Sequence, residues 1–204
     1  IMESANIHSG IFMNGQVVLY QGERVYSSKI PTETVERFHQ MVKEDGYGLT
    51  AYNDKEFYLV ESSAGAKDAY GFIHTNPPAL NADFYKKNPI NMMLFISLPP
   101  AEEKYKVAFP NLDFLRNTPY SVDVISKGNS KAEGIKRFLE HLNQEDAETY
   151  AFGDGPNDIE MLQAVTHPVA MGNALPVLKE IAEFITTNNT DNGIVNGLKH
   201  YGLI

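Results

Sequence analysis

The 204-residue sequence contains no cysteine, which excludes a disulfide framework and thiolate chemistry. It also lacks an apolar run approaching the roughly 18 residues of a membrane-spanning helix, and no signal peptide is visible. No block of basic residues occurs and the net charge is −9, so a nucleic-acid-binding surface is not expected. These absences predict a soluble, cytoplasmic protein that binds neither nucleic acid nor membrane.

The most informative stretch is Gly153–Leu162, with the sequence GDGPNDIEML. An apolar run that ends at Phe152 precedes it like a buried strand, and the glycines on either side of Asp154 allow a sharp turn. Pro156 suits the first turn of a helix. Carboxylate oxygens suit Mg²⁺ and helix N-termini attract anions, so this turn could hold a cation and a phosphate. The same residue types are also typical of an ordinary surface turn.

The last third of the sequence alternates between strand and helix patterns. The predicted elements are helix 130–142, strand 149–152, helix 157–165, strand 169–171, helix 176–185 and helix 192–200. This alternation predicts a parallel sheet covered by helices. Ligands of such sheets bind at the carboxyl ends of the strands, where Asp154 and Gly172-Asn173 fall.

The preceding residues predict a separate α+β unit. Asn14-Gly15 between apolar runs is typical of a hairpin, and residues 32–44 have helical spacing. Strands are expected at 46–52, 57–60, 91–98 and 120–125, whereas residues 104–116 fit either a helix or mixed structure. The middle of the chain is therefore predicted to be a unit of its own, of about 90 residues, and the C-terminal third to be half of a doubly wound domain.

Several stretches together resemble the haloacid dehalogenase-like phosphatases of the Cof type. These stretches are Ile11–Gly15, Gly128–Gly134, Gly153–Leu162, Val169–Ala174 and Asn189–Val195. The resemblance implies a doubly wound, Rossmann-like α/β core with a parallel sheet, of which residues 1–30 and 121–204 form a part. It also implies an inserted α+β cap domain at 31–120. It also implies Mg²⁺-dependent hydrolysis of small phosphate esters, such as sugar phosphates, through an aspartyl-phosphate intermediate. Its implied partner is a small phosphorylated metabolite.

The resemblance assigns roles to four residues of this sequence. Lys131 is the implied catalytic lysine that stabilises the phosphate, Asp154 the metal ligand, and Asn157 a phosphate-binding amide. Asp158 is the implied catalytic support, which orders Lys131 or a metal-bound water. Asn14 and Asn173 fit a place near the site and an ordinary turn equally well.

The position of Lys131 in the sequence also supports a role in anion binding. Ser130 and Glu133 form a capping box, so Lys131 stands in the first turn of the predicted helix. A cation there opposes the helix dipole, which is reasonable if an anion binds beside it. A phosphatase site of this kind requires the side chains of Lys131 and Asp154 to lie in one pocket.

Two family motifs are missing from the sequence, the nucleophile motif and the Ser/Thr motif that follows it. The nucleophile motif, Asp-x-Asp-Gly-Thr, does not occur in the 204 residues. Because a βαβ unit takes about 30 or more residues, we expect roughly 40–60 further residues, including this motif, upstream of Ile1. The alternatives are a catalytically inactive remnant, which binds phosphorylated metabolites or a partner chain, and a phosphomutase.

Overall fold

The computed structural model describes residues 7–204, and the chain divides into two compact units after Asn129. Residues 1–6 of the predicted core segment lie outside the described part. The first unit begins with a three-stranded antiparallel sheet, made of β1 (Gly10–Phe12), β2 (Val17–Tyr20) and β3 (Glu23–Ser27). Met13, Asn14 and Gly15 in the β1–β2 turn all have positive φ, so the predicted hairpin is confirmed.

The rest of the first unit is a five-stranded antiparallel sheet with four helices. In chain order these elements are α1 (Thr32–Asp45), β4 (Gly48–Tyr52), β5 (Phe57–Glu61), α2 (Ala66–Phe72), α3 (Phe84–Lys87), β6 (Met92–Ile96), α4 (Glu102–Ala108), β7 (Leu112–Thr118) and β8 (Ser121–Ser126). The strand order is β5-β4-β6-β8-β7. The undecided stretch 104–116 thus contains the end of one helix and the start of one strand.

Aromatic side chains form the centre of this unit's core. Phe38 is fully buried on α1, with its ring centroid 5.6 Å from that of Phe95 and 5.0 Å from that of Tyr105. Edge-on and tilted ring pairs of this kind are favourable beyond the area that they bury. This core fixes α1 and α4 against one face of the sheet.

The predicted start of the second core segment at residue 121 does not agree with the strand pairing. β8 pairs with β6 from Ser121 to Ile125 and also pairs with β7, so it lies inside the five-stranded sheet. The local sequence predicts the strand correctly, but its pairing with β6 is long-range, whereas β7 precedes it directly as the other strand of a tight hairpin. The division into core and cap domains remains a prediction.

The second unit consists of helices and a three-stranded parallel sheet. Its elements are α5 (Lys131–Leu142), β9 (Tyr150–Gly153), a 3₁₀ turn (Pro156–Asp158), α6 (Ile159–Ala164), β10 (His167–Ala170), α7 (Pro176–Ile181), β11 (Phe184–Ile185) and α8 (Gly193–His200). The strand order is β11-β10-β9, and both pairings are parallel. The predicted parallel sheet is therefore confirmed.

The predicted helix 176–185 is too long. Helix α7 ends at Ile181, and Phe184–Ile185 pairs with β10 as a short strand. The N–H of Glu183 donates to the Pro168 carbonyl at 2.9 Å, so pairing with the sheet takes precedence over local helical spacing. Within residues 7–204, no helix is long and apolar enough to span a membrane.

Candidate active site

Three loops of the second unit lie at the same edge of its parallel sheet. They follow the carboxyl ends of β9, β10 and β11, and they begin at Asp154, Met171 and Thr186. The N–H of Met171 donates to the Gly153 carbonyl at 3.0 Å, and the N–H of Leu175 donates to the Asp154 carbonyl at 3.2 Å. The sheet thus joins the acidic turn to the loop that follows β10, at the edge where α/β sheets bind ligands.

Asp158 is the buried centre of the acidic turn. Its Oδ2 accepts the backbone N–H groups of Asp154 at 3.0 Å and of Gly155 at 3.1 Å. Its Oδ1 accepts a hydrogen bond from Lys131 Nζ at 2.5 Å. A Cβ at Gly153 would lie only 2.7 Å from the Asp158 Cβ, so a side chain there would displace the carboxylate. One carboxylate therefore connects the lysine to the backbone of the acidic turn.

The start of α5 places Lys131 in this arrangement. Ser130 Oγ accepts the N–H of Glu133 at 3.3 Å, which confirms the capping interaction on the serine side. Lys131 is then the first residue of α5, and its side chain is 32% exposed, against 8% for Asp158. The ammonium group can therefore contact both the buried carboxylate and a group arriving from solvent.

Two opposing effects determine the pKa of Asp158. Burial of the carboxyl raises its pKa, but the hydrogen bonds from Lys131 and from two backbone N–H groups outweigh burial and hold the pKa below its ordinary value of 3.8. Asp158 is therefore ionised at neutral pH, and it acts as an acceptor for the lysine and the turn.

The lowered pKa of Asp158 predicts how the stability of the protein depends on pH. Because the folded-state pKa of Asp158 is lowered, its contribution is fully present above the unfolded value near 3.8 and is lost as pH falls through the folded-state pKa. We expect Asp158→Asn to lower the free energy of unfolding by about 1–3 kcal/mol at pH 7, and by progressively less below pH about 4. Urea unfolding at several pH values measures the difference. Asp146→Asn, at an exposed position, is the control, and a deficit that does not change with pH would contradict the assignment.

Asp154 is exposed in the same turn, and its carboxylate has a specific neighbour. Asn173 Nδ2 donates to Asp154 Oδ2 at 2.8 Å. Within residues 7–204 no other side chain hydrogen-bonds this carboxylate, so Asp154 Oδ1 remains available. Asn157 is half-buried in the 3₁₀ turn Pro156–Asp158, which follows Asp154. Its Oδ1 would lie 3.1 Å from a Cβ at Gly155.

The structure gives the two asparagines that the sequence left undecided different neighbours. Asn14 is a turn residue at φ 53°, and its Nδ2 donates to Asp123 Oδ2 at 3.0 Å in the first unit. Asn173 instead contacts Asp154 of the acidic turn directly. Its position just after a predicted parallel strand was the sequence signal, but a turn-forming asparagine gives the same signal.

The side chains of the acidic turn offer few oxygen ligands for Mg²⁺. Mg²⁺ is usually held by one or two carboxylates together with water and substrate phosphate oxygens. Within residues 7–204 there is no group of three or more His, Cys, Asp or Glu side chains that could hold a metal by themselves. A single exposed carboxylate, at Asp154, fits one ligand of a site that substrate, water and further residues complete.

Comparison with known proteins identifies the family. The family model described as haloacid dehalogenase-like hydrolase matches residues 1–198. The chain belongs to this family. YkrA of Bacillus subtilis, a protein provisionally named a phosphatase, is 36% identical to this hydrolase over 205 residues, which cover 100% of this chain and 79% of YkrA.

Solved structures agree with the assignment. A hypothetical protein from Geobacillus kaustophilus is 31% identical and superimposes with a TM-score of 0.88. The alignment covers 100% of this chain and 80% of the Geobacillus protein. A sugar phosphatase of subclass IIB of the superfamily is 27% identical and superimposes with a TM-score of 0.86. The alignment covers 100% of this chain and 79% of the sugar phosphatase. The predicted family, the α/β fold class and the enzyme class, a phosphatase, are thereby confirmed.

Proposed function

We propose that this hydrolase is a Mg²⁺-dependent phosphatase that acts on small phosphate esters through an aspartyl-phosphate intermediate, its nucleophile lying upstream of Ile1. The observation that supports this most strongly is the bridge made by Asp158, which hydrogen-bonds Lys131 Nζ at 2.5 Å and the Asp154 N–H at 3.0 Å. A cation and an exposed carboxylate at one sheet edge are the groups that phosphoryl transfer requires for positioning and charge stabilisation.

The proposed roles follow from exposure and charge. Lys131 stabilises the charge that develops on the phosphoryl oxygens, because its ammonium is partly exposed and is held in place before substrate arrives. Asp154 is the metal ligand, and bound Mg²⁺ would orient the phosphate and offset its charge. Asn157 donates to the phosphate from the 3₁₀ turn. Asp158 orders Lys131 and the backbone of the turn.

We also propose that the five-stranded unit is the cap domain. Movable caps exclude water and select the substrate in enzymes that close over their ligands. The strand pairing of β8 favours a cap that extends to about residue 126 in place of 120. Residues 1–30 and the second unit would then make the part of the core that this sequence contains.

Sugar phosphates are the substrate class that we propose. The support is the likeness to a solved relative that is named as a sugar phosphatase, at 27% identity. The net charge of −9 disfavours nucleic acid as a partner and suits a site where a metal ion offsets the charge of an anionic ester. A cytoplasmic location remains a prediction.

Phosphate release by the full-length protein tests this function. A panel of phosphorylated metabolites, with and without Mg²⁺, should show release that depends on the metal and is fastest for sugar phosphates. Transfer between sugar positions without free phosphate would instead indicate a phosphomutase. Absence of turnover on the whole panel, together with saturable binding of the same compounds, would favour the inactive remnant.

The missing nucleophile gives a sharper prediction. Residues 1–204 expressed alone should release no phosphate from p-nitrophenyl phosphate above background, because the covalent step has no attacking carboxylate. The measurement compares this fragment with the full-length protein at equal concentration and saturating Mg²⁺. Robust Mg²⁺-dependent release by the fragment would overturn the upstream assignment, and so would a coding sequence without Asp-x-Asp-Gly-Thr before the codon for Ile1.

A further inference from the structure

The side-chain amide of Asn173 connects two of the three loops to the acidic turn. Its Nδ2 donates to Asp154 Oδ2 at 2.8 Å, and its Oδ1 accepts the backbone N–H of Asn189 at 3.0 Å. A backbone N–H can only donate, so the amide oxygen must face Asn189 and the amide nitrogen must face Asp154. The orientation of this amide is therefore determined by its surroundings.

The turn that holds Asn173 is joined to its neighbours by hydrogen bonds and close packing. The N–H of Gly172 donates to the Thr187 carbonyl at 3.0 Å, and Lys179 Nζ donates to the Gly172 carbonyl at 2.6 Å. A Cβ at Gly172 would lie 2.6 Å from the Asn188 Oδ1 and 2.8 Å from the backbone of the same segment. The loops after β10 and β11 are thus packed in direct contact, and Asn173 lies directly after the residue where they meet.

We infer that Asn173 is a positioning residue for the metal-binding carboxylate of Asp154. This inference rests on the proposed function, and it assigns Asn173 a role that the sequence alone could not separate from turn formation. The amide holds Oδ2 of Asp154 and leaves Oδ1 as the metal ligand. Metal-binding carboxylates are usually hydrogen-bonded in this manner, and loss of such a partner weakens metal affinity by about 10–100-fold.

Mn²⁺ binding provides a measurement that does not depend on catalysis. We expect Asn173→Ala in the full-length protein to raise the dissociation constant for Mn²⁺ by about 10–100-fold, as followed by the electron paramagnetic resonance signal of the free ion. Asn173→Ser should behave in the same way. Serine keeps a polar, turn-forming side chain, but its hydroxyl is one atom too short to replace the amide nitrogen.

Hydrolysis of p-nitrophenyl phosphate against Mg²⁺ concentration gives a second readout. Because Asp154 is still present in Asn173→Ala, the Mg²⁺ concentration at half-maximal rate should rise by about 10–100-fold. The rate at saturating Mg²⁺ should recover to within a few-fold of wild type. A merely structural role would instead lower the saturated rate and the folded fraction together.

Asn196→Ala is the matched control. Asn196 Nδ2 donates to Thr187 Oγ1 at 2.8 Å and to the Asp191 carbonyl at 3.2 Å, so it supports the same loop without contacting Asp154. Metal affinity should be unchanged in this variant. Suppose that the wild-type protein binds Mn²⁺. The inference is then wrong if the Asn173 variants bind Mn²⁺ equally tightly, or if Asn196→Ala weakens binding as much as they do. A wild type that binds no Mn²⁺ would instead overturn the proposed function itself.

Discussion

Asp154→Asn should lower Mg²⁺-dependent hydrolysis of p-nitrophenyl phosphate by the full-length protein by about 10³-fold or more, which corresponds to about 4 kcal/mol of transition-state stabilisation. Asparagine has nearly the same shape, so the turn and the contact with Asn173 have little reason to move. What is lost is the negative charge that would bind the proposed metal ion. The saturated rate and the metal affinity should therefore both fall.

Glu160→Gln is the control for this substitution. Glu160 is an exposed acidic residue in the first turn of α6, so its change removes the same charge close to the same turn. Turnover by Glu160→Gln should stay within about twofold of wild type, because exposed charges have small effects. Full turnover by Asp154→Asn would refute the metal assignment.

Lys131→Ala should lower turnover by at least about 10²-fold, since removing one preorganised charge-stabilising group costs about 3 kcal/mol or more. The reason is the position of the ammonium, which is held at 2.5 Å from Asp158 Oδ1 before substrate binds. Alanine also leaves the Asp158 carboxylate buried without its cation, so some loss of stability is expected. Turnover and unfolding must therefore be measured on the same samples.

Two further variants separate these effects. Lys131→Ala combined with Asp158→Asn removes the uncompensated carboxylate, so stability should partly return while turnover does not. Lys127→Ala is the control for charge. Lys127 lies four residues earlier, and its Nζ donates only to the Pro110 carbonyl, at 3.3 Å, among residues 7–204. Equal losses from Lys127→Ala and Lys131→Ala would contradict a specific role for Lys131.

The sequence predicts the local parts of the site well, because short-range rules determine them. The capping serine before Lys131, the glycines around Asp154 and the strand that ends at Gly153 all act within a few residues, and all are observed. The hydrogen bond between Lys131 and Asp158 spans 27 residues. The resemblance to a family implied that contact, whereas residue patterns alone did not.

The parts that the sequence did not predict depend on partners far away in the chain. Phe184–Ile185 continues an apolar helical pattern, yet it becomes a strand because the edge of β10 is available for pairing. The strand predicted at 120–125 is observed at Ser121–Ser126, but its long-range pairing with β6 could not be identified locally, and the residue pattern of 104–116 did not indicate the adjacent strand β7. Asn173 was ambiguous for the same reason, since only the packing of two loops shows which carboxylate its amide contacts.

The proposed mechanism requires Lys131 and Asp154 to act on the same phosphoryl group. A double-mutant cycle on kcat/KM with p-nitrophenyl phosphate tests this, using Asp154→Asn, Lys131→Ala and the combined variant of the full-length protein. Groups that act as a unit give strongly non-additive losses. We therefore expect the combined variant to be hardly slower than the slower single variant. Losses that multiply, or a single variant with wild-type kcat/KM, would contradict a shared site.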